Sequence, residues 1–253
     1  MITVAAIHVA PVKSAGLVSP ERVIVELPGI LEDRRFYIID DAGQLVTQRQ
    51  LGWLVQVKAS YQVAPEHLQL TLPGGMLVEE GLVEGEQVST RMWGRVTRGH
   101  VLEGDWGSAL SQAAGVPLRL VRADQPGQCY DEFPVSVLSQ GSLLQLGAVA
   151  GSDPFDARRF RPNFLLEGCQ PHEEDTWLGR AIQIGDRLRL RMISPDPRCA
   201  ITTHDPDTGQ RDVDTLRLIM SYRPNPIAAY FGVYAIVERP GEASVGDRVE
   251  VVD

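Results

Sequence analysis

Cysteine is scarce in this chain of 253 residues, and the three that occur, Cys129, Cys169 and Cys199, are odd in number and far apart. Such a set does not form the dense disulfide framework of a small secreted protein. The amino terminus also lacks the basic segment of a secretory signal and an arginine-rich transit peptide. These absences predict a protein with reduced thiols in the cytoplasm.

Long hydrophobic runs and an excess of positive charge are missing as well. No apolar segment approaches the roughly 20 residues of a membrane-spanning helix, so we expect no membrane insertion. The formal net charge is −9, from 24 Lys and Arg against 33 Asp and Glu. A nucleic acid partner is therefore not expected, because binding a phosphate backbone requires a positive surface.

What the sequence does contain is a series of short segments with the alternating pattern of half-buried strands. Over residues 1–104 they follow each other at regular spacing between turn residues, as in a small barrel or sandwich. Trp106–Ala114, with Asp105 before it and Gly115 after it, predicts a helix. We place a boundary at this helix, between residues 1–104 and 105–253. The predicted fold class is mainly β with a few short helices, a β-rich α+β protein.

Three local predictions concern segments rich in β-branched residues or proline. Leu54–Val63 and Ile184–Ile193 alternate in polarity, which predicts two strands. Pro195 and Pro197 then predict that the strand ends, because proline has no backbone N–H to donate to a sheet. Ile201–Thr203 predicts a short return to the sheet.

Arg198 and Cys199 fall in this predicted break. A neighbouring cation favours the thiolate form of cysteine, which attacks electrophiles and binds soft metals. The alternative interpretation is a buried structural cysteine beside a surface arginine, because free cysteine is among the most buried residue types. No second cysteine lies two residues away, so neither a zinc knuckle nor a dithiol redox pair is supported.

Two groups of polar residues are candidates for binding an anion. Arg158, Arg159 and Arg161 form a compact basic cluster in a chain of negative net charge. Such a cluster either binds an anion or pairs with the many acidic residues, and the sequence leaves both interpretations open. Lys13 and Ser14 stand side by side in a predicted loop, which is a weak signal by itself.

The sequence around the cysteine reads Arg198-Cys-x-x-Thr-Thr-x-Asp-Pro-Asp-Thr-Gly209, and Ser221-Tyr-Arg223 follows it. This pattern resembles the core of the MOSC domain, which occurs in molybdenum-cofactor sulfurases and in the amidoxime-reducing molybdenum enzymes. Pro11-Val-Lys-Ser14, Asp33-Arg34 and Val46-Thr47-x-Arg49 resemble the N-terminal β-barrel subdomain of the latter. The resemblance implies a small β-barrel over residues 1–104 and a MOSC β-barrel over residues 105–253.

The resemblance also implies a molybdenum–pterin cofactor, molybdopterin, with the Cys199 thiolate as the catalytic residue and molybdenum ligand. The cofactor's phosphate and pterin would be held by residues from both halves of the chain. The residues at the matching positions are Lys13, Ser14, Arg34, Arg49, Asp131, Arg161, Asn163 and Arg198. The pattern departs from the family at Phe133, where a small hydroxyl residue is expected two positions after Asp131. Pyridoxal phosphate binding is implied at family level.

The activity implied by the resemblance is the reduction of N-hydroxylated small molecules such as hydroxylamines and amidoximes. Some bacterial relatives carry a fused iron–sulfur domain, but this chain lacks the closely spaced cysteines of such a cluster. A separate iron–sulfur, flavin or haem protein would therefore donate the electrons. His204 and Asp205 either relay protons or form an ordinary turn. Two other functions stay open: a persulfide carrier that uses Cys199, and a cofactor-binding module without turnover.

Overall fold

Short strands are the main regular structure of the computed structural model, which describes residues 1–253. The N-terminal strands are β1 (Ile2–Ile7), β2 (Arg22–Glu26), β3 (Gly29–Ile30), β4 (Phe36–Asp40), β5 (Leu45–Val46), β6 (Lys58–Gln62), β7 (His67–Thr71), β8 (Leu77–Glu80), β9 (Glu84–Met92) and β10 (Arg95–Leu102). Helix α1 (Trp106–Ala114) follows, and then β11 (Leu118–Ala123), β12 (Val135–Ser139), α2 (Gln140–Ala150), β13 (Phe164–Glu167), β14 (Ala181–Ile184), β15 (Leu188–Pro197), α3 (Thr215–Tyr222), β16 (Tyr230–Arg239), β17 (Gly241–Ser244) and β18 (Arg248–Val252).

Seven strands close into a barrel in the order β1-β13-β12-β16-β15-β14-β18. Their inward-facing apolar side chains form most of a core cluster of 21 buried residues, because successive side chains of a strand point to opposite faces. The first and last strands of the chain are neighbours, with Ile2 opposite Val249. The predicted fold class, mainly β with few short helices, is confirmed.

The N-terminal half is built from two further sheets that share a second core of 18 buried residues. One has five strands in the order β5-β4-β11-β10-β9, and the other is the meander β6-β7-β8. Helix α1 packs Trp106 and Leu110 into this core. It ends at Gly115, whose φ of 69° lies in the left-handed region that favours glycine at helix ends. The predicted helix is confirmed.

Strands cross the boundary that we placed between residues 104 and 105. β1 belongs to the barrel formed by C-terminal strands, and β2 pairs with β17. In the other direction, β11 pairs with β4 and β10 of the N-terminal half. The boundary stays a prediction. Strands from each half pair with strands of the other half, and this pairing fixes the position of the two halves relative to each other.

Three local predictions are wrong in an instructive way. Residues Gly52–Gln56 form a 3₁₀ helix, so the strand expected over Leu54–Val63 is confined to β6. Ala200–Thr203 also form a 3₁₀ helix instead of returning to the sheet. Pro195 and Pro197 do not end β15.

The prolines are tolerated because β15 has only one strand partner at its end. β14 pairs with β15 over Leu188–Arg191, whereas β16 continues to pair as far as Pro197. The register with β16 shifts between Met192 and Ser194 and again between Pro195 and Pro197. At such bulges, and on a free strand edge, the missing N–H of proline costs no ladder hydrogen bond.

Candidate functional site

One cleft of about 440 Å³ lies where the N-terminal half meets the end of β15. Its walls come from the turn after β1, from the β9–β10 hairpin and from the arginine turn before β13. All nine residues predicted for the site line this cleft: Lys13, Ser14, Arg34, Arg49, Asp131, Arg161, Asn163, Arg198 and Cys199. Residues from distant parts of the sequence are thus brought together around one space.

The side chains around the cleft carry an excess of positive charge. Six cations line it, namely Lys13, Arg34, Arg49, Arg159, Arg161 and Arg198, against the three acids Asp131, Glu132 and Asp196. This excess of three positive charges stands in a chain whose net charge is −9. The cleft is therefore positively charged although the whole molecule is negatively charged. A local positive charge of this kind favours the binding of an anionic ligand.

Four non-glycine residues of the cleft have positive φ angles. These are Ser14 (70°), Arg34 (50°), Trp93 (48°) and Arg161 (52°), and the rest of the chain contains only one other, His172. Non-glycine residues rarely adopt this left-handed conformation, and where it persists the surrounding structure must enforce it. Backbone strain is therefore concentrated in this cleft, as it is at many binding sites.

Lys13 is buried, in contrast to an ordinary surface lysine, and is 3% exposed. Its ammonium group donates to the carbonyl oxygen of Cys129 at 2.7 Å and to Oδ1 of Asp131 at 2.8 Å. Burial lowers the pKa of Lys13 despite the opposing effect of Asp131. Burial alone would raise the pKa of Asp131, but the charges of Lys13 and Arg34 hold it well below its ordinary value. Asp131 is therefore ionised at neutral pH.

Asp33 connects the two halves of the site. Its Oδ1 accepts from the backbone N–H of Ala10 at 2.8 Å, and its Oδ2 binds the Arg34 guanidinium and accepts from Asn163 Nδ2 at 3.2 Å. Burial lowers the pKa of Arg34, but Asp33 and Asp131 outweigh it and raise the pKa above its ordinary value. Arg34 therefore stays charged inside the protein.

Asn163 is fully engaged by the protein itself. Its Oδ1 accepts from the backbone N–H of Ser136 at 3.0 Å, and its Nδ2 donates to the carbonyl oxygen of His8 at 3.3 Å as well as to Asp33. The amide has no donor left for a ligand. The Asn163 side chain therefore stabilises the part of the cleft wall between β12 and β13.

Arg161 reaches the cleft without a carboxylate partner. Its Nη2 donates to the carbonyl oxygen of Ala15 at 2.8 Å. Burial, together with the neighbouring charge of Arg34, lowers the pKa of Arg161 to about 10. A guanidinium that is partly buried, close to another cation and without a carboxylate partner is electrostatically unfavourable until an anion compensates it.

Arg198 is held against the barrel. Its Nε donates to the carbonyl oxygen of Phe231 at 2.6 Å and its Nη1 to that of Phe160 at 2.8 Å. Nη1 also lies 2.8 Å from Oδ2 of Asp196, whereas the buried Nη2 has no partner. Burial raises the pKa of Asp196 to about 7 against the pull of Arg198. Nη2 is enclosed by the protein close to Gly232, so its hydrogen-bonding capacity is unused.

Cys199 lies directly after β15, at the start of the 3₁₀ helix Ala200–Thr203, and is partly buried in the cleft wall. No hydrogen bond joins its thiol to Arg198, whose guanidinium is bound elsewhere. Burial raises the pKa of the other two thiols, to about 11 for Cys129 and about 12 for Cys169. Cys199 is the only cysteine that lines the cleft, so the alternative of a buried structural cysteine is not favoured.

Comparison with known proteins agrees with this architecture. The family model described as the MOSC domain matches residues 124–250, and the one described as the MOSC N-terminal beta barrel domain matches residues 1–111. The chain belongs to the MOSC family.

Several curated relatives of this MOSC protein are similar along nearly its whole length. Mitochondrial amidoxime reducing component 2 of Bos taurus is 29% identical over 282 residues, which cover 98% of this chain and 82% of the relative. Mitochondrial amidoxime-reducing component 1 of Homo sapiens is 29% identical over 289 residues, and component 2 of Macaca fascicularis is 30% identical, both with the same coverage. No helix here has the length and apolar composition to cross a membrane.

The donors of the MOSC cleft fit a metal that brings most of its own ligands. No group of three or more His, Cys, Asp and Glu residues is arranged to hold a metal ion. Cys199 offers one soft sulfur donor, which suits a thiophilic metal whose other ligands come from an organic cofactor. The guanidinium of Arg161, which has no carboxylate partner, is suited to an anionic group on the same cofactor.

Some predicted residues lie elsewhere, and some residues of the MOSC cleft were missed. His204 lines a neighbouring cavity, and the Oδ1 of Asp205 accepts hydrogen bonds from Thr208, so neither reaches the main cleft. Trp93 and Asp196 are among the missed residues. The sequence did contain a signal for Trp93. Trp93-Gly94 occupies the position of a two-residue hairpin turn, where Asn-Gly is the usual pair.

Proposed function

We propose that this protein is a molybdenum-cofactor-dependent reductase of N-hydroxylated compounds such as amidoximes and hydroxylamines. Membership of the MOSC family and relatives named for amidoxime reduction support the reaction class. The observation that carries the proposal is the cleft itself. It combines a cysteine thiol with an excess of three positive charges, a donor set that suits a phosphorylated metal–pterin.

Lys13, Ser14 and Arg34 would hold the phosphate of the cofactor from the N-terminal wall. Arg161 and Arg198 would supply charged donors from the barrel wall, and Cys199 would be the metal ligand. Asp131 would accept from the pterin at the cleft mouth, with Arg49 as a further cation. Asn163 would act indirectly, because its amide is already occupied and fixes the wall that carries these groups.

When bound, the cofactor would supply the two-electron redox chemistry, and the protein would orient the substrate and control its access to protons. In the overall reaction the N–O bond of the substrate breaks, two electrons and two protons are taken up, and one water molecule leaves. A hydroxylamine becomes an amine, and an amidoxime becomes an amidine. The electrons would come from a separate iron–sulfur, flavin or haem protein. The cytoplasmic location and pyridoxal phosphate binding stay predictions.

Molybdenum and pterin analysis of protein produced with an intact cofactor pathway tests the proposal. Wild type should contain both in proportion to the chain, and Cys199→Ala should lose molybdenum while it keeps its melting temperature. Cys169→Ala, which removes a thiol outside the cleft, is the matched control and should retain the metal.

Two results would contradict the proposal. Wild-type molybdenum content in Cys199→Ala would remove the ligand assignment. Metal-free wild type with a labile sulfur on Cys199 would instead support the persulfide carrier.

A further inference from the structure

The turn between β9 and β10 has an unusual residue at its tip. Met92 pairs with Arg95, so only Trp93 and Gly94 form the loop. Both have positive φ angles, 48° and 86°, as a type I′ turn requires. Asn, Asp and Gly adopt this conformation readily, whereas a bulky aromatic residue at the first position is strained. The presence of tryptophan here is not explained by the turn.

Core packing does not explain Trp93 either. Its side chain is 44% exposed, while Trp106 and Trp177 are buried at 0% and 2%. The indole lines the main cleft, and its Nε1 donates to Oδ1 of Asp131 at 3.0 Å. A strained turn thus presents a half-exposed aromatic face at the cleft mouth.

Arg49 lies on that face. The central carbon of its guanidinium is 4.6 Å from the centre of the Trp93 ring. Arg49 is exposed, its side chain forms no hydrogen bond, and it has no carboxylate partner among the ion pairs of the protein. Stacking on the indole is therefore its one specific contact, and another planar group can replace it at small cost.

The guanidinium of Arg49 is planar, like the unit that carries the N-hydroxy group in certain ligands. Its central carbon, bonded to three atoms in one plane, matches the carbon of an amidoxime or an N-hydroxyguanidine. Such planar conjugated units stack on an indole, whereas a tetrahedral alkyl hydroxylamine presents no flat surface. An amidoxime is also neutral, so the positive charge of the cleft does not oppose its entry.

Building on the function proposed above, we propose that the Trp93 ring is a specificity-determining subsite for substrates whose N-hydroxy group belongs to a planar conjugated unit. Arg49 covers the ring when no substrate is bound. The subsite favours amidoximes and N-hydroxyguanidines over alkyl hydroxylamines. The strained conformation of the turn has a function in this proposal, because it directs the indole into the cleft.

Direct binding of benzamidoxime and N-cyclohexylhydroxylamine, measured by calorimetry and by indole fluorescence, tests this subsite without turnover. Wild type should bind benzamidoxime more tightly. Trp93→Asn should weaken benzamidoxime about five- to tenfold, the size of one aromatic stacking contact, and leave the alkyl ligand unchanged. Asparagine suits the turn, so the melting temperature should rise by about 2–4 °C. Trp93→Phe, which keeps an aromatic face, should retain part of the preference.

Three results would overturn the proposal. They are equal binding of the two ligands to wild type, unchanged benzamidoxime binding in Trp93→Asn, and loss of pterin from Trp93→Asn, which would assign the indole to the cofactor instead. Binding is measured on protein with and without molybdenum. Failure of the reductase proposal would therefore appear as missing metal in wild type, separately from the ligand preference.

Discussion

Arg159 and Arg161 lie two positions apart and line the same cleft, yet their charges are compensated very differently. Arg159 is bound by Asp212 at 2.7 Å and by the carbonyl oxygen of His204 at 2.9 Å. Arg161 has only the carbonyl oxygen of Ala15. Within the basic cluster, Arg159 therefore stabilises the loop after β15, whereas Arg161 is available to bind an anion. Within this cluster, the carboxylate partner of Arg159 distinguishes it from Arg161, which has none.

The largest expected difference is between Arg161→Ala and Arg159→Ala in anion binding. A hydrogen bond to a charged group contributes about 1.5–3 kcal/mol, so Arg161→Ala should weaken pyrophosphate binding about ten- to hundredfold. Arg159→Ala should change that affinity much less, because its guanidinium is already occupied. Calorimetric titration of the wild type and both variants would measure it. A larger loss in Arg159→Ala would reverse the assignment of the two residues.

The next largest effect is expected at Asn163, which positions the wall that carries Arg161. Asn163→Ala would remove the hydrogen bonds of the amide to the backbone N–H of Ser136 and to the carbonyl oxygen of His8, and one of the hydrogen bonds to Asp33. We expect the free energy of unfolding to fall by about 1–3 kcal/mol. Urea denaturation measures this. Asn225→Ala, at the other asparagine of the chain, is the control and should change stability little; equal losses would argue against a special role for Asn163.

Asp196, the buried acid on the barrel wall, gives an effect on stability that depends on pH. Its pKa is about 7 in the folded protein, against 3.8 for an ordinary aspartate, because it is buried. The folded state therefore holds more protons between these values, and stability falls as pH rises through this window, by at most about 1.4 kcal/mol per pH unit. Asp196→Asn removes this loss.

The stability gained by Asp196→Asn should accordingly grow from about pH 4 to pH 7 and then level off. Urea denaturation of wild type and variant across this range would show it. Parallel curves would mean that Arg198 keeps the carboxylate charged and that burial does not dominate.

The smallest effect is expected at Arg158, the outermost residue of the cluster. It pairs with Asp156 and Asp207 on the surface, and its side chain is 39% exposed. Exposed ion pairs contribute about 0.2–1 kcal/mol, so Arg158→Ala should change stability by no more than this and leave pyrophosphate affinity unaltered. A clear loss of affinity would extend the binding surface beyond Arg161 and the cleft.

Motifs predicted the members of the site, whereas their individual roles required the structure. Lys13, Arg34, Arg161 and Cys199 could be named from the sequence because the motifs around them are local. Whether an arginine has an acidic partner depends on residues about 50 positions away, as with Arg159 and Asp212. Local patterns carry no information on such pairs.

The fold shows the same limit at β15. The alternation of its first half predicted a strand, but the tolerance of Pro195 and Pro197 depends on which neighbouring strands extend beside them. A proline signals the end of a strand only if its N–H would have been needed. That need is decided by β14 and β16, which lie elsewhere in the sequence.

The neighbouring position of β1 and β18 has a consequence for biosynthesis. β1 leaves the ribosome early, but Ile2 and Thr3 find their partners Val249 and Arg248 only when β18 has emerged. Contacts between such distant segments form slowly, because the intervening chain must first be ordered. The barrel is thus closed only after β18 has been synthesised, so the cofactor that we propose would be inserted after that point of translation.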